Sequence, residues 1–500
     1  MSTSLNTRRP AEAETGATAR TAQTAPKGLL PVVLTATFMT ALDIFVVNVA
    51  LPSLQGDLGA GPAAVQWVMA GFSLALAAGL VTAGRLGDRY GRRRVFGLGL
   101  ALFTLASTVC GLAPTAAALV GARVAQGLSA ALMGPQVLAI LRTAFSGAAQ
   151  ARAFARYGLT MGVGAVFGQL IGGLLIRADL FGLGWRSCFL INLPIGLAAL
   201  PLVRRSLPES RAPQRPGLDP VGVLLVTTAL TGLVLPLIQG PQLHWPLWTG
   251  LCLGGSLALL AVFAVHQHRA TTTAAATATT ATTPLVDTRL FRDRAFSAGL
   301  LAQLAFWLGQ GSFFLVLALH LQFGRGLDAL GAGLVFTAIG LGYLITSNTT
   351  HRVTARLGER RTIALGGLLM ALGLGLLALT ANSPGVRWLA PGLFVDGLGM
   401  GLVIAPVTSV VLAGVEPRLA GSAAGVVSTV QQVGGALGIA LIGLVYYGAG
   451  DLAAAFGRSV LALAVLELVL VGLVRFLPRG AHGAHGAAEA HRVHEAPHEG

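Results

Sequence analysis

Fourteen separate stretches of mainly aliphatic residues, each long enough to cross a lipid bilayer, decide what this chain can fold into. A spanning helix needs roughly 20 predominantly apolar residues. The stretches run from Leu29 to Ala50 at one end to Leu452 to Phe476 at the other. The sixth, Cys188 to Val203, is short, with an earlier start at Trp185 open to it. Within hydrocarbon every backbone N–H and C=O must be satisfied by the segment itself, so stretches of this length are read as helices. Composition agrees: 54% of residues are hydrophobic and 11% charged, whereas about a quarter are charged in ordinary soluble domains.

The net charge is +15, which in a soluble chain would suggest a nucleic-acid partner. Here the charges are few and fall between spans, so no nucleic acid is expected. With the N-terminus inside, only Arg177, Arg186, Arg325, Arg387 and Arg458 fall on the outer side, and only Arg123 within a span. The remaining basic residues collect on one face. That asymmetry supports an even number of spans in a cell membrane, with both termini cytoplasmic. Lys27 is the sole lysine, so a P-loop, which needs a lysine on the nucleotide phosphates, is excluded. No HExxH or GxSxG string occurs either, which argues against a membrane-embedded enzyme. Cys110, Cys188 and Cys252 fall within spans and imply no disulfide framework.

An internal repeat organises the spans. The loop after the second reads Gly84-Arg-Leu-Gly-Asp-Arg-Tyr-Gly-Arg-Arg-Arg94, and the loop after the tenth contains Arg356-Leu-Gly-Glu-Arg-Arg361. Two six-helix halves would place these loops six spans apart; the observed eight implies a helix pair inserted between the halves. The expected organisation is a tail over 1–27, a six-helix bundle over 28–203, and two linking helices over 219–266. A cytoplasmic loop over 267–294, a second six-helix bundle over 295–477 and a tail over 478–500 follow. Ala270 to Thr283, built only of Ala and Thr, reads as a flexible linker. The last tail carries His482, His485, His491, His494 and His498 and reads as a solvated segment rather than a metal site.

These residues resemble the major facilitator superfamily, in particular its fourteen-span drug:proton antiporter branch. Gly84 to Arg94 is similar to the superfamily's signature loop at Gly84, Leu86, Asp88, Arg89, Gly91 and Arg92. Leu42 to Pro52 resembles the branch's first-helix motif, with Phe45 where threonine is usual. Arg123 to Ala130 resembles its fourth-helix motif and Trp185 to Gly196 its entry to the sixth helix. Gly164-Ala-Val-Phe-Gly-Gln-Leu-Ile-Gly-Gly173 is similar to the antiporter motif through Gly164, Gly168, Gly172 and Gly173. Gln169 stands in place of the motif's proline, removing the kink and setting an amide mid-span that must find a partner.

The resemblance implies an all-α membrane protein that exports amphiphilic drugs in exchange for protons by alternating access. The proton gradient is its energy source, no cofactor is needed, and a monomer suffices. A metabolite or lipid carrier of the same fold is the alternative. The signature loop, with Gly84, Gly87 and Gly91 permitting a tight turn, is expected to make charge contacts between the halves through Asp88, Arg89 and Arg92 that hold one access state and break in the other.

Ionisable groups inside spans are costly and are functional candidates by default. Asp43 lies about 7 residues from the outer end of its span and Arg123 about 7 residues into the fourth, hence both roughly 10 Å deep. They are expected either to handle the coupling proton together or to form a fixed ion pair. Asp396 is the second choice for a cavity acid, while Glu467 is expected to pair locally or to face a subunit crevice. Asn48, Gln126, Gln303, Gln310 and Gln431 are candidate cavity-lining amides, with Gln169 a further mid-span amide.

Overall fold

A computed structural model describes residues 28–211, 217–277, 284–416 and 419–477. Fourteen helices long and apolar enough to cross a membrane are present among them. In chain order they are α1 (Leu29–Leu58), α2 (Pro62–Tyr90), α3 (Arg92–Gly111), α4 (Ala116–Ala144), α5 (Gly147–Ala178) and α6 (Gly184–Ser206). Then come α7 (Pro220–Gln239) and α8 (Leu247–Thr277). The last six are α9 (Arg294–Leu319), α10 (Ala329–Leu357), α11 (Glu359–Thr380), α12 (Ala390–Ala413), α13 (Ala420–Tyr447) and α14 (Leu452–Leu473).

Packing reproduces the sequence repeat. In the first half α1 packs on α5 and α6, α4 on α2 and α3, and α3 on α6. In the second half α9 packs on α13 and α14, α12 on α10 and α11, and α11 on α14. Each pair recurs eight helices later, the offset read from the loops. The inserted α7 lies against α2 and α13 at the seam between halves, and α8 rests chiefly on α7. The outer side of α8 exposes Leu247, Leu251, Leu257, Val262 and Val265, an apolar face suited to lipid rather than water.

Helices outrun the apolar stretches. α1 continues past Ala50 to Leu58, so Asp43 sits near mid-helix rather than close to an end. α6 begins at Gly184 as short 3-10 and α turns before its main helix, Asn192–Ser206, confirming the earlier start. The Ala/Thr tract is corrected: its residues up to Thr277 continue α8 instead of forming a flexible linker, as alanine's high helix propensity favours. The rest of that tract, the N-terminal tail and the histidine-rich tail lie outside the described residues.

The end of the bundle holding residues 28 and 477 is termed here the proximal face, and the opposite end the distal face. Near the distal face the halves lie in close contact. A Cβ at Gly173 of α5 would lie 2.5 Å from the Ala329 carbonyl oxygen, and one at Gly333 of α10 would lie 2.7 Å from that of Gln169. Gln322 Nε2 donates to the Val49 carbonyl at 3.0 Å, and Arg177 faces Asp328 at 3.6 Å. Deeper along the same seam Gly162 approaches Tyr343, while a Cβ at Gly158, a turn nearer the proximal face, would meet nothing within 4 Å.

Candidate functional site: a buried ion triad beside a seam cavity

Asp43 of α1 and Arg123 of α4 do meet. Arg123 Nη1 lies 2.6 Å from Asp43 Oδ2, and the two side chains are 1% and 0% exposed. A third residue closes the ring: Arg123 Nη1 donates to Gln126 Oε1 at 2.8 Å, and Gln126 Nε2 donates to Asp43 Oδ1 at 2.6 Å. Gln126 is thus a structural partner of the ion pair, not the cavity amide expected from the sequence. It lies three residues after Arg123 and so on the same helix face. Arg123 Nε also donates to the Val68 carbonyl of α2, and the guanidinium sits 4.3 Å from the Phe72 ring centroid. Gly127 permits this approach, because a Cβ there would come within 2.3 Å of the Phe72 carbonyl oxygen.

A charge buried this completely is tolerable only when paired and hydrogen-bonded. The triad meets that condition at both carboxylate oxygens. Replacing Gln126 by leucine removes one bond from each charge and is expected to cost on the order of 1–3 kcal/mol, read as a lower unfolding temperature of the purified protein.

A small cavity lies on the seam between halves. Phe45 of α1 and Val166 and Gln169 of α5 wall it from the first half; Phe314, Phe336, Tyr343 and Met400 face them from the second. Phe45 meets Phe314 edge-on at 5.5 Å, and Phe314 stacks on Phe336 at 6.0 Å. Of the amides considered, Gln169 lines this space; it is buried, and its Nε2 has no hydrogen-bond partner.

The other expected lining residues lie elsewhere. Asn48 donates back to the Ile44 and Phe45 carbonyls of its own helix. Gln303 bridges Thr408 and Trp307. Gln310 is buried in α9 and Gln431 half-buried in α13, both off the cavity wall. Asp396 is not a cavity acid: it is packed where α12 crosses Gly373 of α11, 1% exposed, with both carboxylate oxygens unpartnered. Glu467 is likewise buried, near Gly309 of α9, and its Oε2 lacks the expected local partner.

The glycines of α5 have a clear use. A Cβ at Gly164, Gly168 or Gly172 would come within 3.0 Å of Ala41, Phe45 or Val46 side-chain atoms, so α5 lies tightly on the helix bearing Asp43. In the signature loop only Gly91 makes the turn, at φ +112, joining α2 directly to α3. Gly84 and Gly87 are helical, and Gly87 serves close packing on Gln136 of α4. In this arrangement Asp88 pairs with Arg92 at 2.8 Å within the loop, and exposed Arg89 lies over the Tyr90 ring. Arg85 instead reaches out, donating to the carbonyls of Gly217 and Pro284 on either side of the inserted pair.

Residues 33–439 match the family model of the Major Facilitator Superfamily. The chain belongs to this superfamily. It is 40% identical to the probable actinorhodin transporter of Streptomyces coelicolor over 84% of this chain and 72% of that one. It is 36% identical to the cephamycin export protein CmcT of Amycolatopsis lactamdurans over 93% and 96%. Among solved structures, a POT family transporter in complex with a thioalcohol-conjugated peptide shares the fold, with a TM-score of 0.65 at 16% identity and 91% and 98% coverage. The superfamily chain is therefore a multi-pass membrane protein, and its relatives are transporters.

Trp185 and Arg186, at the entry to α6, both donate to Asp57 Oδ2 at the end of α1, at 3.0 and 2.5 Å. Asp57 and the aromatic cavity wall were not singled out in the sequence. The one signal for the wall was Phe45 standing where the branch carries threonine.

Proposed function

We propose that this superfamily member exports amphiphilic small molecules in exchange for protons, with Asp43 as the coupling carboxylate and the basic proximal face in the cytoplasm. The observation that carries this reading is the use of α1 as a shared wall. Asp43 and Phe45 are two residues apart, hence about 200° apart around the helix at 3.6 residues per turn. Asp43 faces the triad and Phe45 the cavity. A molecule displacing Phe45 thereby bears on the helix that presents Asp43 to Arg123.

Protonating Asp43 removes the charge that Arg123 and Gln126 hold, loosening α1 from α4. Releasing the proton re-forms the triad. Alternating access follows if the two arrangements of α1 favour different contacts between halves. In the arrangement described, the distal seam is closed by the contacts of α5 with α10 and by the bond from Gln322 to the Val49 carbonyl. The energy source is the proton gradient, with no cofactor in the cycle.

Expression in an efflux-deficient host, grown against a panel of antibiotics and lipophilic compounds, tests the reading. Raised tolerance to at least one compound, lost when a protonophore collapses the gradient, is expected. Tolerance that survives gradient collapse would refute proton coupling.

A further inference from the structure

Two buried acids of the second half take no part in the triad, and they deepen the export reading above, on which this inference rests. Asp396 of α12 and Glu467 of α14 are each 1% exposed. Both Asp396 carboxylate oxygens and Glu467 Oε2 lack a hydrogen-bond partner. The two residues flank α11, which packs on α12 and on α14. A Cβ at Gly373 of α11 would lie 2.6 Å from the Asp396 backbone nitrogen, and one at Gly367 would lie 3.5 Å from the Glu467 carbonyl oxygen. Asp396 is also close enough for its charge to act on Glu467.

Among the described residues no cation answers either acid. Arg294 opens α9, Glu359, Arg360 and Arg361 open α11, and His351, Arg352 and Arg356 lie in the last turns of α10. Tyr343 lines the seam cavity, Tyr446 and Tyr447 end α13, and Arg458 and Arg475 are exposed. Where α11 crosses α12, backbone meets backbone. A Cβ at Gly373 would lie 2.7 Å from the Gly392 carbonyl oxygen, and one at Gly366 would lie 2.8 Å from that of Gly399. An ionised carboxylate without a counter-charge is very costly in such surroundings. Two like charges sharing one apolar space are costlier still. The acids therefore carry protons in this arrangement.

A second observation points to the same ligand. Phe456, Ser459, Leu463 and Glu467 follow at helical spacing along one buried face of α14. Ser459 is 0% exposed, and its hydroxyl has no partner. His320 stacks on Phe456 at 3.9 Å and accepts from Arg325 Nε through its Nε2 at 3.1 Å. Its hydrogen is thereby assigned to Nδ1, which has no acceptor. The ring sits in a π-helical turn at the distal end of α9, a distortion frequent at functional sites. Unpartnered hydroxyl and imidazole groups thus mark the distal side of Glu467, and both are groups that pass protons.

We propose that Asp396 and Glu467 form a second proton-binding site, inside the second half, which is loaded in this arrangement and gives up a proton in each transport cycle. The step is protonation alone: a carboxylate oxygen takes a proton from water and returns it to water. Release requires α11 to part from α12 or α14, so that water reaches the charge. The pair ties ionisation to a movement within the second half, as the triad does within the first.

Infrared difference spectra between neutral and alkaline pH, taken on the purified full chain in liposomes, test the site through the C=O stretch of protonated carboxyl groups. The wild type is expected to show this band at neutral pH. The double variant Asp396→Asn, Glu467→Gln is expected to lose it, and each single variant to lose part. Neither amide strands a charge, so the double variant should unfold near the wild-type temperature. No band in the wild type, or a band that the substitutions leave unchanged, would overturn the proposal. Loss of the band on adding sodium or potassium at constant pH would assign the site to a metal cation and overturn it equally.

Proton counting in liposomes, with a compound to which the growth panel shows tolerance, tests the role in the cycle. The double variant is expected to transport the compound while moving about half as many protons for each molecule as the wild type. An unchanged ratio would overturn this proposal alone. A wild type that moves no protons would instead contradict the export reading, so the two failures are distinguishable.

Discussion

Replacing Asp43 by asparagine is expected to abolish proton-driven transport and to destabilise the protein as well. The substitution leaves Arg123, 1% exposed, as a buried charge without a counter-charge. Breaking one partner of such a pair costs about 3–5 kcal/mol. Loss of transport in this variant alone would therefore be ambiguous between coupling and folding. The combination with Arg123→Gln separates them. Neutralising both groups removes the stranded charge, and replacement of a buried pair by neutral groups is often close to neutral for stability. The double variant is expected to reach the membrane and to unfold near the wild-type temperature, yet to show no pH-driven transport. Full transport in the double variant would reduce the triad to a fixed brace.

Enlarging the distal seam is expected to shift the equilibrium between access states. Gly173→Leu or Gly333→Leu sets a side chain against backbone, the Ala329 carbonyl in one case and that of Gln169 in the other. Backbone oxygens within packed helices have little room to give. Overpacking of this kind costs about 1–3 kcal/mol, a roughly 5- to 150-fold change in a two-state equilibrium. Spin labels at Leu180 and Leu452, both exposed near the distal ends of opposite halves, report the outcome in a background without native cysteines. A longer distance in either variant, together with transport reduced at least tenfold, is expected. An unchanged distance with normal transport would show that this seam does not govern access.

Much of the architecture was legible because bilayer physics constrains it tightly. Arg-Leu-Gly-Asp-Arg and its partner Arg-Leu-Gly-Glu-Arg, eight spans apart, pointed to an inserted pair, and the packing recurs at that interval. Asp43 and Arg123 could be paired because a bilayer offers so few ways to satisfy a charge at matching depth. Amides are less constrained. Gln126, Gln303 and Asn48 each had many acceptors within reach, and one went to the ion pair, one to Thr408 and one to its own helix.

Helix ends were poorly legible for a related reason. Hydropathy marks where hydrocarbon ends, whereas helical hydrogen bonding continues into water wherever propensity allows, as α1 does to Leu58 and α8 to Thr277. The cavity was the least legible part. Phe45, Phe314, Phe336 and Tyr343 come from three helices across the seam, and nothing in their spacing distinguishes a wall from ordinary core. Gln169 was visible as a departure from its motif, but its missing partner is a property of the assembled seam.

Proton exchange itself provides the decisive measurement. Purified protein is reconstituted in liposomes that enclose a pH-sensitive dye, and a compound to which the growth panel shows tolerance is then added. The wild type is expected to move protons across the membrane on addition of the compound, in proportion to the compound transported. The Asp43→Asn, Arg123→Gln double variant is expected to bind the compound without moving protons. Transport by the wild type with no proton movement, or equal proton movement by the double variant, would contradict coupling at Asp43.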